Sequence, residues 1–406
     1  MSKQIVIAGA GQAAIQAATT LRSEGFEGNI LMIADELDLP YQKPPLSKGF
    51  LMDKLQERNL LFKTEKFFEE KNIQLVLGEK VIEIFPVNKA VKTNTSNAYN
   101  YDALIIATGT KNRILNIPGQ QLKGIHYLRS LEDAKALKEK MATAKKLVVI
   151  GGGFIGLEIA AAANEKGLDV SVLEVQDRLM ARVLPPVISD VFEAKHIAKG
   201  VNIQLQKSAT AFIGEDDHVT GVEMDDGHVL AADLVVVGIG VVPNDEFAEA
   251  AGIKCSNGIE VDDYTRTNID DIYAIGDVAC HYNDFMQSHL RLESVQNAMD
   301  QGRIAALHIL GKDEKYYLVP WFWTHQFELK LQMAGCNQGY DEYVTRGDVE
   351  EEKYSIFYLK DGKLIGVDSI NRASDHMAAR KLIQAGVTPT TEQIEDLEFK
   401  LKTLID

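Results

Sequence analysis

Cysteine is scarce in this sequence. The 406 residues include only three, Cys255, Cys280 and Cys336, which lie far apart along the chain. They form neither a C-x-x-C pair nor the ligand spacing of a metal site. We therefore expect no structural disulfide and no metal centre, and so little cysteine is typical of a reducing compartment.

Positive charge and long apolar runs are also in short supply. The chain has 43 Lys and Arg against 59 Asp and Glu, a net charge of −16. Such an acidic chain is not expected to bind nucleic acid, because phosphates attract basic surfaces. No run reaches the roughly 18 apolar residues of a membrane span. Glycines, Gln12 and Gln16 interrupt the apolar residues after Lys3, so a strand and a helix explain them better than a signal peptide. We expect a cytoplasmic monomer or homodimer with no membrane or nucleic-acid partner.

Glycine is frequent, with 31 residues, and its most informative positions lie in two βαβ units. In the first unit, residues 3–8 predict a strand, Ala13–Arg22 a helix and Asn29–Ala34 a second strand. The intervening loop, Gly9-Ala10-Gly11-Gln12-Ala13-Ala14, is a G-x-G-x-x-A nucleotide fingerprint. Its first glycine permits a tight turn, its second admits a pyrophosphate, and its small third residue lets helix and strand pack closely. Asp35 ends the second strand.

The second unit spans Leu147–Glu174 and carries the complete fingerprint Gly151-Gly152-Gly153-Phe154-Ile155-Gly156. The helix that follows offers free N–H groups and a partial positive charge to phosphates. A carboxylate at Glu174 accepts a hydrogen bond from a ribose 2′-hydroxyl and repels a 2′-phosphate, which favours NAD over NADP. Arg178 and Arg182 follow closely and could soften this preference. The alternatives are a mere α/β packing turn for either loop, and solvated loop cations for the two arginines.

The remaining pattern predicts an α/β fold with two Rossmann-like dinucleotide-binding domains and a C-terminal α+β domain. The first domain is discontinuous, at residues 1–110 and 240–316, the second covers 111–239, and the aromatic-rich third covers 317–406. Further strands are expected at residues 73–77, 81–85, 90–93, 202–206, 219–224, 233–238, 354–359 and 364–370. Residues 101–110 are expected to hold a buried strand that ends in a glycine turn, and residues 272–279 a buried strand that ends in Gly-Asp. Further helices are expected at residues 133–142, 294–310 and 375–385.

Several motifs follow one another over nearly the whole chain: "GAGQAA", "PYQKPPLSKGFL", "IIATGT", "GGGFIGLEIA", "GIGVVPND", "YAIGDVA", "RLESVQNA" and "PWFWTHQ". With them the sequence resembles the FAD-dependent ferredoxin reductases of bacterial oxygenase systems. That family includes putidaredoxin reductase, rubredoxin reductase and dioxygenase ferredoxin reductase components. "PPLSK" followed much later by "PWFW" is the most specific part. The resemblance implies a glutathione-reductase-like fold, with FAD on the first unit, NAD on the second, and a C-terminal domain that closes over the flavin.

The resemblance also implies site residues. For the phosphate and adenosine parts of FAD these are Gly9, Gly11, Ala13, Asp35, Lys43, Lys48, Val81 and Arg129. Asp277 would bind the ribityl chain or phosphate, and Val295 and Trp323 would lie near the isoalloxazine ring. For NAD the matching positions are Gly151, Gly153, Ile155, Glu174, Arg182 and Gly240. Family members often carry arginine where Lys43 stands, which leaves its contact open.

Lys48 and Glu158 are the predicted catalytic residues. In this family they resemble a buried pair beside the flavin, where a cation would stabilise the reduced cofactor. A buried glutamate left without its lysine would tend to take up a proton. The alternatives are a solvated lysine after two prolines and a glutamate that only favours the helix dipole. Trp321 and Trp323 could likewise be simple core residues.

The missing cysteines bear on the path of the electrons. Related flavoproteins relay them through C-x-x-C, through C-x-x-x-x-C, or through one cysteine near Lys43–Lys48, and this sequence has none of these. Cys280 follows a Gly-Asp turn, but a lone thiol is more often a small core residue. We therefore expect hydride transfer from NADH to FAD and then single-electron transfer to a ferredoxin or rubredoxin. That acceptor would feed an oxygenase, such as a cytochrome P450 or a ring-hydroxylating dioxygenase.

An acidic acceptor protein would require a local basic patch. Arg291, Arg303 and Lys312 are the candidates for it. Two other functions stay open, an NADH oxidase or quinone reductase, and an NADH-sensing flavoprotein of the apoptosis-inducing-factor type.

Overall fold

The chain was analysed as a computed structural model that describes residues 3–405. These residues form two compact units. Unit 1 contains residues 3–43, 57–111 and 242–320, and unit 2 contains residues 44–56, 112–241 and 321–405. Within the described range, none of the helices is both long enough and apolar enough to cross a membrane.

The α-helices and strands have the following bounds. The helices are α1 Gln12–Ser23, α2 Glu65–Glu70, α3 Leu131–Met141, α4 Phe154–Glu165, α5 Pro186–Ala198, α6 Glu246–Ala250, α7 Val295–Ile309, α8 Ala373–Ala385 and α9 Thr391–Glu395. The strands of the first half are β1 Gln4–Ala8, β2 Asn29–Ala34, β3 Ile73–Leu77, β4 Val81–Phe85, β5 Ala90–Thr93, β6 Ala98–Asn100, β7 Ala103–Ile106, β8 Thr110–Asn112, β9 Ile125–His126, β10 Lys146–Ile150, β11 Asp169–Glu174, β12 Asn202–Leu205 and β13 Ala209–Glu215. Those of the second half are β14 His218–Met224, β15 Val229–Ala231, β16 Leu234–Val237, β17 Val241–Pro243, β18 Ile259–Val261, β19 Ile272–Ala274, β20 Ala279–Asn283, β21 Ser288–Leu290, β22 Trp321–Gln326, β23 Leu329–Gly335, β24 Glu342–Asp348, β25 Lys353–Lys360 and β26 Lys363–Ile370.

A parallel five-stranded sheet of order β19-β7-β1-β2-β3 forms the centre of unit 1. Side chains alternate between the two faces of β1, as strand geometry requires. Ile5 and Ile7 pack in the cluster that includes residues of α1 and α7, whereas Val6 and Ala8 pack in the cluster of the antiparallel sheet β4-β5-β6. Both faces of the sheet are therefore covered, and its strand ends are left to carry the loops.

Unit 2 contains a second parallel five-stranded sheet, of order β12-β11-β10-β16-β9. One face of β10 buries Val148 and Ile150 against Phe212 and Val222 of the β13-β14-β15 meander. Helix α4 packs on the same sheet, and Gly156 brings its backbone close to Val149. This arrangement holds the start of α4 at the end of β10.

The C-terminal part of unit 2 is an antiparallel sheet of order β22-β23-β26-β25-β24 with α8 packed on it. Arg346 ties the last segment of the chain to this sheet, because its buried guanidinium donates to the carbonyls of Ile394 and Phe399 at 2.7 and 2.9 Å. The strand that matters most for the site is β22, whose residues Thr324 and Gln326 are buried on one face.

The predicted fold class, with two parallel nucleotide-binding sheets and a C-terminal α+β part, is confirmed. The buried strands expected within 101–110 and 272–279 are Ala103–Ile106 and Ile272–Ala274, and each is followed by the glycine turn that the sequence predicted. Each gives way to a turn at a glycine of positive φ, Gly109 at 61° and Gly276 at 73°, a conformation that a continuing strand cannot contain. Helix α5 and the strands β22, β23 and β24 were not predicted.

Candidate nucleotide-binding sites

The first glycine loop of unit 1 has room for a pyrophosphate. Gly9 has a φ of 120°, and a Cβ there would lie 2.2 Å from the carbonyl oxygen of Ala107, so no other residue fits. Gly11 is different, because a Cβ built on it would meet nothing within 4 Å. Gly11 is also the N-cap of α1, which no side chain caps. The loop thus presents the N-terminus of α1 to open space, which is the arrangement that a phosphate group requires.

Ala13 lies in the first turn of α1, where small residues allow close packing. The carbonyl oxygen of Ala13 lies 2.5 Å from the position that a Cβ on Gly302 of α7 would take. Gly276 approaches it as well, with its own Cβ position 3.0 Å from the Ala13 methyl. The turn that carries Asp277 is therefore next to the start of α1, and the Gly276 N–H donates to Gln301 at 2.8 Å. Gly9, Gly11, Ala13 and the turn of Asp277 thus lie close together, and their contacts with FAD stay predictions.

A pocket next to this loop contains the other predicted residues of the adenosine side. Its lining residues are Ala10, Gly11, Ala34, Asp35, Glu36, Asp38, Pro40, Tyr41 and Lys43. Lys43 Nζ donates to Glu36 at 2.7 Å and lies 5.3 Å from the centre of the Tyr41 ring. Three carboxylates around one paired lysine suit the hydroxyl groups of a ribose better than a further phosphate. Glu36 was missed by the sequence reasoning, although its position beside Asp35 was a usable signal.

For four of the predicted FAD residues, the structure shows the surroundings but no contact with a cofactor. The Val81 side chain is buried in the core of unit 1, which would leave its backbone as the part that could meet an adenine. Val295 is half-buried at the first position of α7, next to the Ser294 cap. In unit 2, the Arg129 N–H donates to Asp133 at 3.0 Å, and Trp323 lies on β22 with its ring 5.4 Å from that of Trp321. The cofactor contacts of Val81, Arg129, Val295 and Trp323 stay predictions.

The second glycine loop, in unit 2, repeats the geometry of the first. Gly151 has a φ of 108°, and its Cβ would lie 2.4 Å from the Gly238 carbonyl oxygen. Gly153 has open space, with nothing within 4 Å of a Cβ, and is the N-cap of α4 without a side-chain cap. A Cβ on Gly156 would lie 2.2 Å from the Gly151 carbonyl oxygen. The three glycines thus serve the turn, the open cradle and the helix packing that the fingerprint assigns to them.

Glu174 lies at the edge of this cradle. Its carboxylate accepts the backbone N–H groups of Gly152 and Gln176 at 2.7 and 2.8 Å. Each carboxylate oxygen has a further lone pair, so Glu174 can still accept from a ribose hydroxyl. The side chain of Ile155 is 46% exposed in the first turn of α4, an apolar surface that a nucleotide would cover.

The two arginines that follow Glu174 behave differently. Arg178 donates to the Ala181 carbonyl at 2.9 Å and pairs with Asp177 at 3.3 Å. Its guanidinium therefore stabilises the loop in which Arg178 lies. Arg182 instead lies next to Gly240, where a Cβ would be 3.5 Å from its guanidinium. The structure therefore brings Arg182 and Gly240 together and holds the Arg178 guanidinium within its own loop.

Two consecutive amide side chains hold the Arg182 loop. Gln338 donates to the Arg182 carbonyl at 2.9 Å, and Asn337 donates to the Val183 carbonyl at 3.1 Å. Asn337 also donates to Asp368 at 3.1 Å, and Tyr358 donates to the same carboxylate at 2.9 Å. Asp368 is completely buried, and desolvation raises its pKa to about 7. The sequence did not predict these contacts of Asn337 and Gln338, because nothing in the local sequence links residues 337 and 183.

Lys48 and Glu158 form a close ion pair inside unit 2. Lys48 Nζ lies 2.7 Å from Glu158 Oε2, and Ser47 Oγ donates to the same oxygen at 2.5 Å. Thr324 Oγ1 donates to the other oxygen, Oε1, at 2.7 Å. The Glu158 side chain is 3% exposed and that of Lys48 23%. Glu158 is thus fully satisfied, and the partly exposed ammonium is the part of the pair that can meet another group.

The proposed basic patch does not exist as a set of free cations. In unit 1, Arg291 pairs with Glu293 at 2.8 Å, Arg303 makes a two-point pair with Glu314, and Lys312 pairs with Glu24. The sequence did not predict these pairs, because the carboxylate partners of two of the three cations are distant in sequence or lie beyond the helix, and the basic patch stays a prediction. The thiol of Cys280 is buried and desolvation raises its pKa, as expected of a core residue rather than a redox relay.

Comparison with known proteins extends these observations. The family model for pyridine nucleotide-disulphide oxidoreductases matches residues 3–302, and the reductase C-terminal model matches residues 321–405. The chain is 46% identical over 401 residues to rhodocoxin reductase from Rhodococcus erythropolis, which covers 99% of this chain and 94% of the relative.

Two solved structures are also close. The ferredoxin reductase for the CYP199A2 system from Rhodopseudomonas palustris superimposes with a TM-score of 0.96 at 42% identity, covering 100% of both chains. The reductase in the covalent putidaredoxin reductase–putidaredoxin complex gives a TM-score of 0.95 at 35% identity, covering 99% of this chain and 98% of that one.

Proposed function

Because the chain belongs to the pyridine nucleotide-disulphide oxidoreductase family and ends in a reductase C-terminal domain, we propose that it is an NADH:ferredoxin or rubredoxin reductase that feeds an oxygenase. It is a flavoprotein oxidoreductase that uses FAD and NAD(P)H. When bound, FAD supplies the conversion of one two-electron oxidation of the nicotinamide into two single-electron steps. Relatives named for rhodocoxin, putidaredoxin and rubredoxin support a small iron protein as the acceptor.

The observation that carries the proposal is the pair of glycine cradles, one in each unit. At Gly11 and at Gly153 the space that a side chain would fill is open, directly at an uncapped helix N-terminus. In unit 1, Gly9, Gly11, Ala13, Asp35 and Asp277 would hold FAD, with Glu36 and Lys43 at the ribose end. In unit 2, Gly151, Gly153, Ile155, Glu174, Arg182 and Gly240 would hold the nicotinamide nucleotide.

We propose NADH as the preferred reductant. Support comes from Glu174, whose carboxylate is fixed at the edge of the cradle by two backbone N–H groups. A fixed negative charge repels a 2′-phosphate, and Arg178, which could have attracted one, is held by the carbonyl of Ala181. We also place the protein in the cytoplasm, a proposal supported by the three free cysteines.

Lys48 and Glu158 are the proposed catalytic residues. The ammonium of Lys48 would supply positive charge to the flavin, while Glu158, Ser47 and Thr324 fix its position. Electrons would leave without a thiol relay, since the buried Cys280 is a poor thiolate.

Purification followed by spectroscopy tests the proposal. We expect a yellow protein whose flavin absorbance is bleached anaerobically by NADH and much more slowly by NADPH. Stopped-flow mixing of the reduced protein with a ferredoxin or rubredoxin should reoxidise it faster than oxygen or a small quinone does. Equally fast reoxidation by oxygen or a quinone would make the protein an oxidase or quinone reductase, and a colourless protein that takes up no flavin would refute the proposal.

A further inference from the structure

A chain of buried polar side chains connects Glu158 with a histidine of unit 2. Thr324 Oγ1 lies 2.7 Å from Glu158 Oε1, and Gln326 Nε2 lies 3.3 Å from Thr324 Oγ1. His196 Nε2 on α5 then lies 2.9 Å from Gln326 Oε1. All four residues are 4% exposed or less. Buried polar groups are costly unless they are paired, so this chain calls for a role, and the proposed function leaves His196 unused.

The hydrogen bonds in this chain have one direction only. The carboxylate of Glu158 is purely an acceptor, and Lys48 donates to it at 2.7 Å. Thr324 must therefore donate its single proton to Glu158. Its oxygen then accepts from the amide nitrogen of Gln326, which turns the amide oxygen of Gln326 toward His196. His196 completes the series as the donor, through Nε2–H.

Among the described residues, the contact with Gln326 alone determines the tautomer of His196. Its other ring nitrogen, Nδ1, is buried and has no hydrogen-bond partner within the described residues. The ring packs edge-on against Phe327, with the centres 4.9 Å apart. Desolvation lowers the pKa of His196, so the ring is neutral and carries one proton. No described group other than Gln326 selects the nitrogen that carries it.

We propose that His196 is a positioning residue for the Lys48–Glu158 pair and acts on it through Gln326 and Thr324. The Nε2–H of His196 orients Gln326, Gln326 satisfies the oxygen of Thr324, and Thr324 is thereby committed to donate to Glu158. Glu158 then has donors on both of its oxygens, which keeps it available to hold Lys48. The tautomer of His196 and the hydrogen bonds that Glu158 accepts are consequently coupled. This inference rests on the proposed function, in which Lys48 serves the flavin.

The substitution Glu158→Gln tests the coupling without loss of volume. The new amide oxygen should stay on the side of Lys48 and Ser47, which both donate, so its NH₂ group faces Thr324. Thr324 must then turn its proton toward Gln326, whose amide flips and donates to His196 Nε2. The proton of His196 should move to Nδ1 as a result.

The readout is a two-bond ¹H–¹⁵N spectrum of the full-length holoprotein with ¹⁵N-labelled histidine, which distinguishes the two neutral tautomers. The signals of His196 are those lost in His196→Gln. We expect the Nε2–H tautomer in the wild type, the Nδ1–H tautomer in Glu158→Gln, and no change in the control Glu165→Gln, on the exposed side of α4. The coupling would be overturned if His196 carried its proton on Nδ1 in the wild type, or if its spectrum did not change in Glu158→Gln.

A second pair of variants tests whether the series of hydrogen bonds from Glu158 to His196 affects flavin reduction by NADH. Thr324→Val removes the hydroxyl and should slow flavin reduction by NADH about tenfold without raising KM, the scale of one hydrogen bond to a charged group. Thr324→Ser keeps the hydroxyl and should retain the rate. Equal rates in the two variants would refute the positioning role. The tautomer measurement is independent of flavin reduction, so failure of the proposed function and failure of this inference give different results.

Discussion

The carboxylate of Glu174 accepts the backbone N–H of Gly152 at 2.7 Å. The acidic residue at the end of β11 therefore braces the glycine loop of unit 2 as well as facing its nucleotide cradle. A substitution that deletes the side chain would disturb both roles together. Separating them requires a variant that loses the charge and keeps the acceptor for Gly152, with only the acceptor for the Gln176 N–H given up.

Glu174→Gln is that variant. Its amide oxygen can still accept from Gly152, but the negative charge that repels a 2′-phosphate is gone. We expect the preference for NADH over NADPH, measured as the ratio of kcat/KM values, to fall about tenfold, which corresponds to about 1.4 kcal/mol. Asp177→Asn removes a nearby exposed carboxylate and should leave the ratio unchanged. An unaltered ratio in Glu174→Gln would place the source of the preference elsewhere.

Gly153→Ala should weaken nucleotide binding, whereas Gly156→Ala should lower the stability of the fold. A methyl group at Gly153 meets no atom within 4 Å, so the free energy of unfolding should change by less than about 1 kcal/mol. It fills the cradle, however, and should weaken NAD⁺ binding at least tenfold, as measured by titration. A methyl group at Gly156 would lie 2.2 Å from a carbonyl oxygen and should destabilise the fold by about 1–3 kcal/mol in urea unfolding. Normal NAD⁺ affinity in Gly153→Ala would contradict the cradle.

Lys48→Met should retain FAD and lose reactivity. The substitution keeps an apolar stem of similar length, removes the ammonium, and leaves Glu158 buried without its cation. We expect the rate of flavin reduction by NADH to fall at least tenfold in stopped-flow measurements. The double variant Lys48→Met, Glu158→Gln should recover stability but not rate, and Lys54→Met, an exposed neighbour, should react normally. A normal rate in Lys48→Met would remove Lys48 from the mechanism.

Gln338→Ala should weaken nucleotide binding from outside the nucleotide loop. Gln338 holds the carbonyl of Arg182 at 2.9 Å, and without it the loop that carries this guanidinium is less fixed. We expect KM for NADH to rise several-fold with kcat unchanged, because only binding is affected. Gln121→Ala, which also removes an exposed glutamine of unit 2, is the matched control. A fall in kcat instead of a rise in KM would contradict a role of the Gln338–Arg182 hydrogen bond in nucleotide binding.

Asp368 should make stability depend on pH. Burial raises its pKa to about 7, above the value of about 4 in an unfolded chain, so the native state retains a proton that the unfolded state has lost. The contribution is complete below about pH 4 and disappears as the pH rises through about 7. The free energy of unfolding of the wild type should therefore fall, relative to that of Asp368→Asn, by up to about 4 kcal/mol between pH 4 and pH 8. Urea unfolding at several pH values checks this, with the exposed Asp361→Asn as control. Parallel curves for wild type and Asp368→Asn would contradict the prediction.

The local pattern of apolar and turn residues in the sequence predicted much of the fold. The strands Asn29–Ala34, Ile73–Leu77 and Val81–Phe85 have the bounds that apolar runs and turn residues predict. The helix after the first glycine loop, predicted as Ala13–Arg22, differs by one residue at each end, because a tight turn and a helix start are set by neighbouring residues. Helix α5 was not predicted, although its proline at the first position is favoured there.

The sequence by itself determined the two glycine loops, since a strand, a tight turn and the start of a helix are set by residues that are neighbours in the chain. Only the tertiary structure decided which groups meet across long separations. It neutralised Lys312 with Glu24, linked Asn337 to Val183, and placed His196 at the end of the polar chain from Glu158. The physical reason is that charge, hydrogen bonding and burial depend on neighbours in space, and those neighbours lie 130 or more residues apart in the chain.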